Sequence, residues 1–279
     1  MDKAPALLSK PACLPINRCN VPAAILGSLA FQENPVPLVL DGVREFHRDL
    51  FARLDATPLS SQRSTLFQDY VTVHFRLEHL EEAGLVARDT GGHQKQRAKA
   101  NYIRMIRGWN FDADSREGAV MKAWVESRFG LTPRYHGEPL RDFSAPAYQR
   151  YLEMRAQGLY GTNALEAQLD LVYTYCQYEF SRQTPDLRHL TLYRGVNHLA
   201  GFERLPENNS PSEKRRTLLL NNLNSITGTR ERADEFGDAI LTFKVPVAKI
   251  FFHCRLLSGI LQGEDEFLTI GGLYEADYA

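Results

Sequence analysis

A chain of 279 residues with 33 Lys+Arg and 34 Asp+Glu carries a formal net charge of −1. A balance so near zero gives no general electrostatic pull toward nucleic acid or an anionic membrane. With 43% hydrophobic and 24% charged residues the composition is globular rather than disordered, and a chain of this length can bury roughly three quarters of its unfolded surface without a disulfide or metal staple.

The N-terminus, Met1-Asp2-Lys3-Ala4-Pro5, lacks the basic start and apolar core of a secretory signal. The apolar stretches 21–31 and 250–261 are interrupted by Gly, Ser, His or Arg and fall short of a membrane span. Cys13, Cys19, Cys176 and Cys254 are scattered and form no CxxC pair, so a reduced cytoplasmic chain without bound metal is the economical expectation.

Helical periodicity then dominates. Residues 41–54 align Val43, Phe46, Leu50, Phe51 and Leu54 on one stripe. Residues 61–83 repeat the period through Leu66, Tyr70, Val73, Leu77 and Leu80 and stop at Gly84. The run 88–108 is basic and reads as a solvated helical face. Helices are predicted over 115–129, ended by Gly130, and over 145–157, ended by Gly158. A further helix over 163–183 opens with Asn163 and has Glu166 three residues on, a capping-box pattern.

After Pro185 the period changes to two. Residues 189–196 and 239–247 alternate, 249–257 is nearly continuously apolar, and 264–271 alternates again. A polar connector over 206–216 reads as an exposed loop, and 230–236 as a short helix closed by Gly237. The expected fold class is α+β: a mostly helical lobe over 1–184 and a β-rich core over 185–279, packed as one unit. The core is too short to hold the crossover helices of a parallel sheet, so its strands are expected to be antiparallel or mixed.

The chain contains no G-x-G-x-x-G, no G-x-x-x-x-G-K-[ST], no H-E-x-x-H and no G-x-S-x-G. Three other segments carry candidate chemistry. In Tyr193-Arg194-Gly195 an arginine interrupts an apolar strand; it either grips a phosphate or carboxylate bidentately or pairs with a structural acid. The following glycine admits close approach of a flat group to the backbone. In Asn222-Leu223-Asn224-Ser225-Ile226-Thr227, the hydroxyls of Ser225 and Thr227 point to one face of a strand. In Gly263-Glu264-Asp265-Glu266-Phe267-Leu268, three acids open an apolar strand, with Glu264 and Glu266 on one side and Asp265 on the other. Either the acids form a solvated turn or the two glutamates serve two bound groups. Their placement along one strand does not flank a glycosidic bond from opposite faces, as conventional sugar hydrolases require.

The order of strand arginine, strand hydroxyl pair and strand glutamate pair resembles the mono-ADP-ribosyltransferases of the arginine–serine–glutamate class, over roughly residues 189–273. A narrower resemblance covers nearly the whole chain. The segments beginning Leu14-Pro15-Ile16-Asn17-Arg18-Cys19 and Leu40-Asp41-Gly42-Val43-Arg44-Glu45 are similar to the dinitrogenase reductase ADP-ribosyltransferases. The resemblance implies an α+β ADP-ribosyltransferase core enclosing a cleft for NAD+. It implies transfer of ADP-ribose to an arginine of the nitrogenase iron protein (dinitrogenase reductase), and a PII signalling protein as activator.

Carried over residue by residue, the resemblance implies that Arg194 binds NAD+ near its phosphates and nicotinamide ribose, with the Gly195 backbone beside the nicotinamide amide. Ser225 braces the catalytic glutamate, and Asn222 is a further candidate for the same pocket. Glu266 matches the catalytic glutamate and Glu264 the upstream glutamate of arginine-modifying members. The hydroxyl motif reads Ser-Ile-Thr where Ser-Thr-Ser is usual, so Thr227 keeps its hydroxyl while Ile226 loses one. Gln262-Gly263-Glu264 also satisfies a Gln-x-Glu pattern, in which Glu264 would be the catalytic acid. The loop 256–263 and the basic run 88–108 are the two candidate docking segments for a protein substrate.

Overall fold

The computed structural model describes residues 12–77, 100–197, 199, 202–204, 214–259 and 265–279. Helices occupy the first part of the chain: α1 (Ala23–Leu26), α2 (Leu29–Glu33), α3 (Val43–Phe46), α4 (Arg48–Asp55), α5 (Ser60–Phe75), α6 (Tyr102–Phe111), α7 (Arg116–Phe129), α8 (Pro146–Gly158) and α9 (Ala164–Gln183). A two-stranded hairpin, β1 (Arg134–Tyr135) and β2 (Glu138–Pro139), joins α7 to α8.

Tertiary partners revise several local expectations. The helix expected over 41–54 breaks at His47, which lies outside helical geometry at φ −101° and ψ 27°. Leu50, Phe51 and Leu54 reach the core while Phe46 stays 74% exposed. Helix α5 ends at Arg76 in the left-handed region, ahead of the expected stop at Gly84, which lies outside the described residues. Its buried face is Arg63, Ser64, Phe67 and Val71, and Val73 is exposed. Helix α9 causes this rotation: Arg63 grips Glu179 bidentately at 2.6 and 2.8 Å, and Phe67 stacks on Tyr175 with centroids 4.1 Å apart.

Helix α7 follows the sequence expectation closely. Ser115 caps it by accepting the Gly118 amide at 3.1 Å, and Gly130 ends it at φ 71°. Asn163 makes no side-chain cap on α9; Thr162 Oγ1 accepts the Ala164 amide instead. Glu166 pairs with Arg128 and Arg155, which removes it from the capping role. Gly158 lies within α8 rather than after it. A Cβ there would fall 2.6 Å from Val120 Cγ2 and 2.9 Å from the Arg116 carbonyl oxygen. Gly158→Ala is therefore expected to lower the melting temperature, because a clash of roughly 1–3 kcal/mol exceeds the gain of about 1 kcal/mol in helix propensity. An unchanged or raised melting temperature would show that α7 and α8 can separate without cost.

The second part of the chain forms β3 (His189–Val196), β4 (Glu203–Arg204), β5 (Arg215–Thr227), β6 (Ala239–Pro246), β7 (Ile250–His253) and β8 (Glu266–Tyr278), with helix α10 (Arg230–Asp234) between β5 and β6. Strand β5 begins at Arg215, inside the segment expected to be a loop. All pairings are antiparallel, in the order β4-β5-β3-β6-β8-β7, and an added β5–β8 pairing closes β5, β3, β6 and β8 into a ring. The β3–β5 seam is narrow: a single register pair, Tyr193–Thr227, joins the two strands. The β5–β8 seam is long and carries a bulge between Leu220 and Leu223. One hydrophobic cluster runs from the helices into the ring, through Trp124, Phe129, Tyr173, Phe243, Phe251 and Tyr274 among others.

Lys249, between β6 and β7, is fully buried. Its Nζ donates to the Gly271 carbonyl at 2.8 Å and sits 4.7 Å from the Tyr274 ring centroid and 5.5 Å from that of Phe31.

Candidate functional site

Strand register assembles the three candidate segments. Tyr193 on β3 lies opposite Thr227 on β5, and Thr227 lies opposite Glu266 on β8. Directly opposed residues share a face of the sheet, so these three side chains form a row across three strands. Ser225, two residues before Thr227 and opposite Leu268, falls on the same face. It is the diagonal neighbour of Glu266, at about 7–8 Å. The ring thus brings Ser225, Thr227 and Glu266 together although about forty residues of chain separate the strands that carry them.

Arg194 belongs to the next position on β3 and alternates away from that row. It is half-buried, and its Nη1 donates to Asn224 Oδ1 at 3.4 Å, with the guanidinium carbon 5.9 Å from the Phe202 ring. Among the described residues no carboxylate lies within ion-pair distance of it, so the structural acid that could have neutralised it is not seen there. Burial pushes its pKa below the ordinary arginine value. An arginine remains charged under such a shift, and a desolvated cation whose partners among the described residues are an amide and an aromatic ring gains strongly from an incoming anion.

Gly195 is needed for a contact within the protein. A Cβ there would lie 2.0 Å from the Ala233 carbonyl oxygen, so α10 packs directly on the β3 backbone. Asn222 sits apart from the other candidates. It is 1% exposed and its Nδ2 donates to the carbonyls of Lys122 at 2.7 Å and Leu131 at 3.2 Å. Asn222 lies in the bulge after Leu220, and Asn224, adjacent to Ser225 on the regular part of β5, alternates to the other face and meets Arg194. Glu264 lies outside the described residues, as do 260–263 of the loop 256–263 and 88–99 of the basic run. Of that run, Arg104 and Arg107 are exposed on α6, with Arg104 3.5 Å from Glu117.

The surroundings of Glu266 are anchored on both sides. The Asp265 carbonyl accepts the Gly228 amide at 3.0 Å, and its carboxylate accepts from Arg255 at 3.1 Å. His253 stacks on Phe267, and burial pushes its pKa down to about 4, so it stays neutral beside the row. Sequence reasoning missed one direct contact: Trp109 on α6 donates its indole N–H to Ser225 Oγ at 2.8 Å. The available signal was the tryptophan itself, since a buried indole N–H requires an acceptor. Among the described residues no group of His, Cys, Asp or Glu could hold a metal ion, and no helix is long and apolar enough to cross a membrane.

Comparison with known proteins adds the chemistry to this geometry. Residues 16–278 match the family model described as dinitrogenase reductase ADP-ribosyltransferase. The chain is 36% identical over 260 residues to the NAD(+)–dinitrogen-reductase ADP-D-ribosyltransferase of Rhodospirillum rubrum, covering 92% of each chain. No solved structure matches. A match spanning both the helices and the closing strand leaves no part of the fold unaccounted for: the chain belongs to the dinitrogenase reductase ADP-ribosyltransferase family.

Proposed function

We propose that this chain moves ADP-ribose from NAD+ to an arginine of dinitrogenase reductase, and so switches that protein off. The relative's activity and the family match support the reaction. The observation that carries the site is the register that sets Ser225 and Thr227 on the same face as Glu266; the desolvated Arg194 follows Tyr193 of that row on β3 and points to the other face, toward Asn224.

Arg194 would hold the pyrophosphate of NAD+, a flexible dianion that its planar fork can grip through two oxygens. Gly195 would present its backbone to the nicotinamide amide. Breaking the bond between nicotinamide and ribose sends its electron pair to the departing nicotinamide and leaves positive charge on the sugar. Glu266 would stabilise that developing charge, with Ser225 and Thr227 orienting its carboxylate. Glu264 would orient the acceptor guanidinium and take its proton as the new nitrogen–carbon bond forms. A protonated guanidinium is a poor nucleophile, which is why a second carboxylate is needed. Attack from the opposite side of the ribose gives an α-linked product. Asn222 remains the weakest member of the set, because both its amide protons are engaged elsewhere. A cytoplasmic setting is supported by the scattered cysteines, and a PII protein as activator follows from the resemblance alone.

Mass spectrometry of dinitrogenase reductase incubated with this chain and NAD+ tests the reading. The expected result is one ADP-ribose on an arginine. Free ADP-ribose without an adduct would mark an NAD+ hydrolase, and no nicotinamide release would mark a binding protein; either overturns the proposal. Arg194→Lys keeps the charge but loses the fork, and is expected to raise the KM for NAD+ by roughly 10–100-fold, the equivalent of about 1.5–3 kcal/mol. An unchanged KM would remove Arg194 from the NAD+ site.

A further inference from the structure

Trp109 lies outside every segment so far given a chemical role, yet it makes the most direct side-chain contact to the hydroxyl row. An indole N–H can only donate. Ser225 Oγ must therefore act as acceptor in the 2.8 Å bond between them. A serine hydroxyl has one proton and two lone pairs, so this bond fills an acceptor site and leaves the Ser225 proton for another acceptor. On the shared face of β5 and β8 the diagonal neighbour of Ser225 is Glu266.

Helix α6 holds the indole firmly. Its Asn101 cap accepts the Ile103 amide at 2.8 Å, and the Tyr102 amide donates to Gln168 Oε1 on α9 at 2.9 Å. Gly108 is pressed so closely to α7 that a Cβ would fall 2.5 Å from Glu117 Cγ. Trp109 is 3% exposed, and Lys122, ion-paired to Asp114, lies 5.8 Å from its ring centroid. A Ser225 rotamer that broke the bond would strand a buried donor.

We propose that Trp109 is a positioning residue for ADP-ribose transfer: its indole N–H sets the direction of the Ser225 hydroxyl proton, and through it the orientation of the Glu266 carboxylate. The helical part of the chain thereby completes a site otherwise built on strands. This inference rests on the assignment of Ser225 and Glu266 to the NAD+ site.

The full chain allows a direct test, because it holds two tryptophans. Their indole N–H groups have different partners, Ser225 for Trp109 and Asp170 for Trp124. Nitrogen-15 NMR should therefore resolve two indole signals, and Ser225→Ala identifies the one from Trp109. NAD+ is expected to shift that signal and leave that of Trp124 in place; an unmoved Trp109 signal overturns the inference even if no tryptophan variant folds. Trp109→Phe is expected to lower kcat/KM for NAD+ about tenfold, as for loss of one hydrogen bond in a positioned pair. The double variant with Ser225→Ala is expected to be no worse than Ser225→Ala alone. Additive losses would mean that Trp109 acts independently of Ser225, and overturn the inference. Transfer lost in Ser225→Ala but retained in Trp109→Phe overturns it while leaving the NAD+ site intact. Full transfer by Ser225→Ala removes the serine from the site and the inference with it.

Discussion

Glu266→Gln is expected to reduce ADP-ribose transfer by about 10²–10³-fold, the usual consequence of removing one group aimed at transition-state charge. Glutamine keeps the size and the hydrogen-bond acceptor, so the β8 pairing of residue 266 with Thr227 should survive. What disappears is the full negative charge opposite a forming sugar cation. The loss should therefore fall on kcat, with NAD+ affinity nearly unchanged, because charge develops only as the glycosidic bond breaks. Nicotinamide release and NAD+ binding measured side by side check both halves. Wild-type turnover would remove Glu266 from the mechanism. The same assay on Glu264→Gln separates the two motif registers: in the Gln-x-Glu register Glu264 is essential and Glu266 dispensable. Glu266 is the first residue of β8 and pairs across from Thr227, whereas Glu264 lies outside the described residues, so the assay decides between the registers.

The largest effect on stability is expected from Lys249. Burial lowers its pKa from the ordinary 10.5 to about 7. Between those values the unfolded chain binds a proton that the folded chain does not, so stability should rise with pH across that window. Below about pH 7 the folded protein carries the buried charge and the penalty is complete. A shift of this size corresponds to about 5 kcal/mol. The hydrogen bond to the Gly271 carbonyl and the faces of Tyr274 and Phe31 offset only part of it. Lys249→Met keeps the length and removes the charge, and it loses one hydrogen bond worth about 1–3 kcal/mol when the acceptor is left buried. The variant should melt several degrees above wild type near pH 6 and lose that advantage near pH 10. Melting curves across that range check it; a difference independent of pH would show that Lys249 does not titrate in the folded protein.

Much of the frame was legible in the sequence wherever local signals act alone. Helix α7 has its serine cap and its glycine stop, and it formed as expected although its side-chain partners are distant in sequence. Strands β3 and β6 alternate cleanly and pair with each other over their whole length. Expectations failed where a distant partner decided the outcome. The rotation of α5 depends on Glu179 and Tyr175, more than a hundred residues away. Glu166 left its capping position for two arginines on other helices. The site shows the same division. That Ser225 and Thr227 share a face was legible because strand periodicity carries a face along the chain, while the pairing that adds Glu266 to it comes from the ring. Asn222, a candidate from the resemblance alone, lies in the bulge after Leu220 and is tied to the carbonyls of Lys122 and Leu131, contacts that strand periodicity does not announce. Trp109 was missed because its stripe with Tyr102, Met105 and Ile106 has the spacing of any core-facing helix.

The ring of β5, β3, β6 and β8 also governs when the enzyme can first work. Strand β8 supplies both Glu266 and the last stave, pairing with β5, β6 and β7. Such long-range closure is slow compared with helix formation. A nascent chain on the ribosome can complete its helices while β8 and Glu266 have yet to be synthesised. With Glu266 as the proposed catalytic acid, newly made molecules would stay silent toward NAD+ until closure.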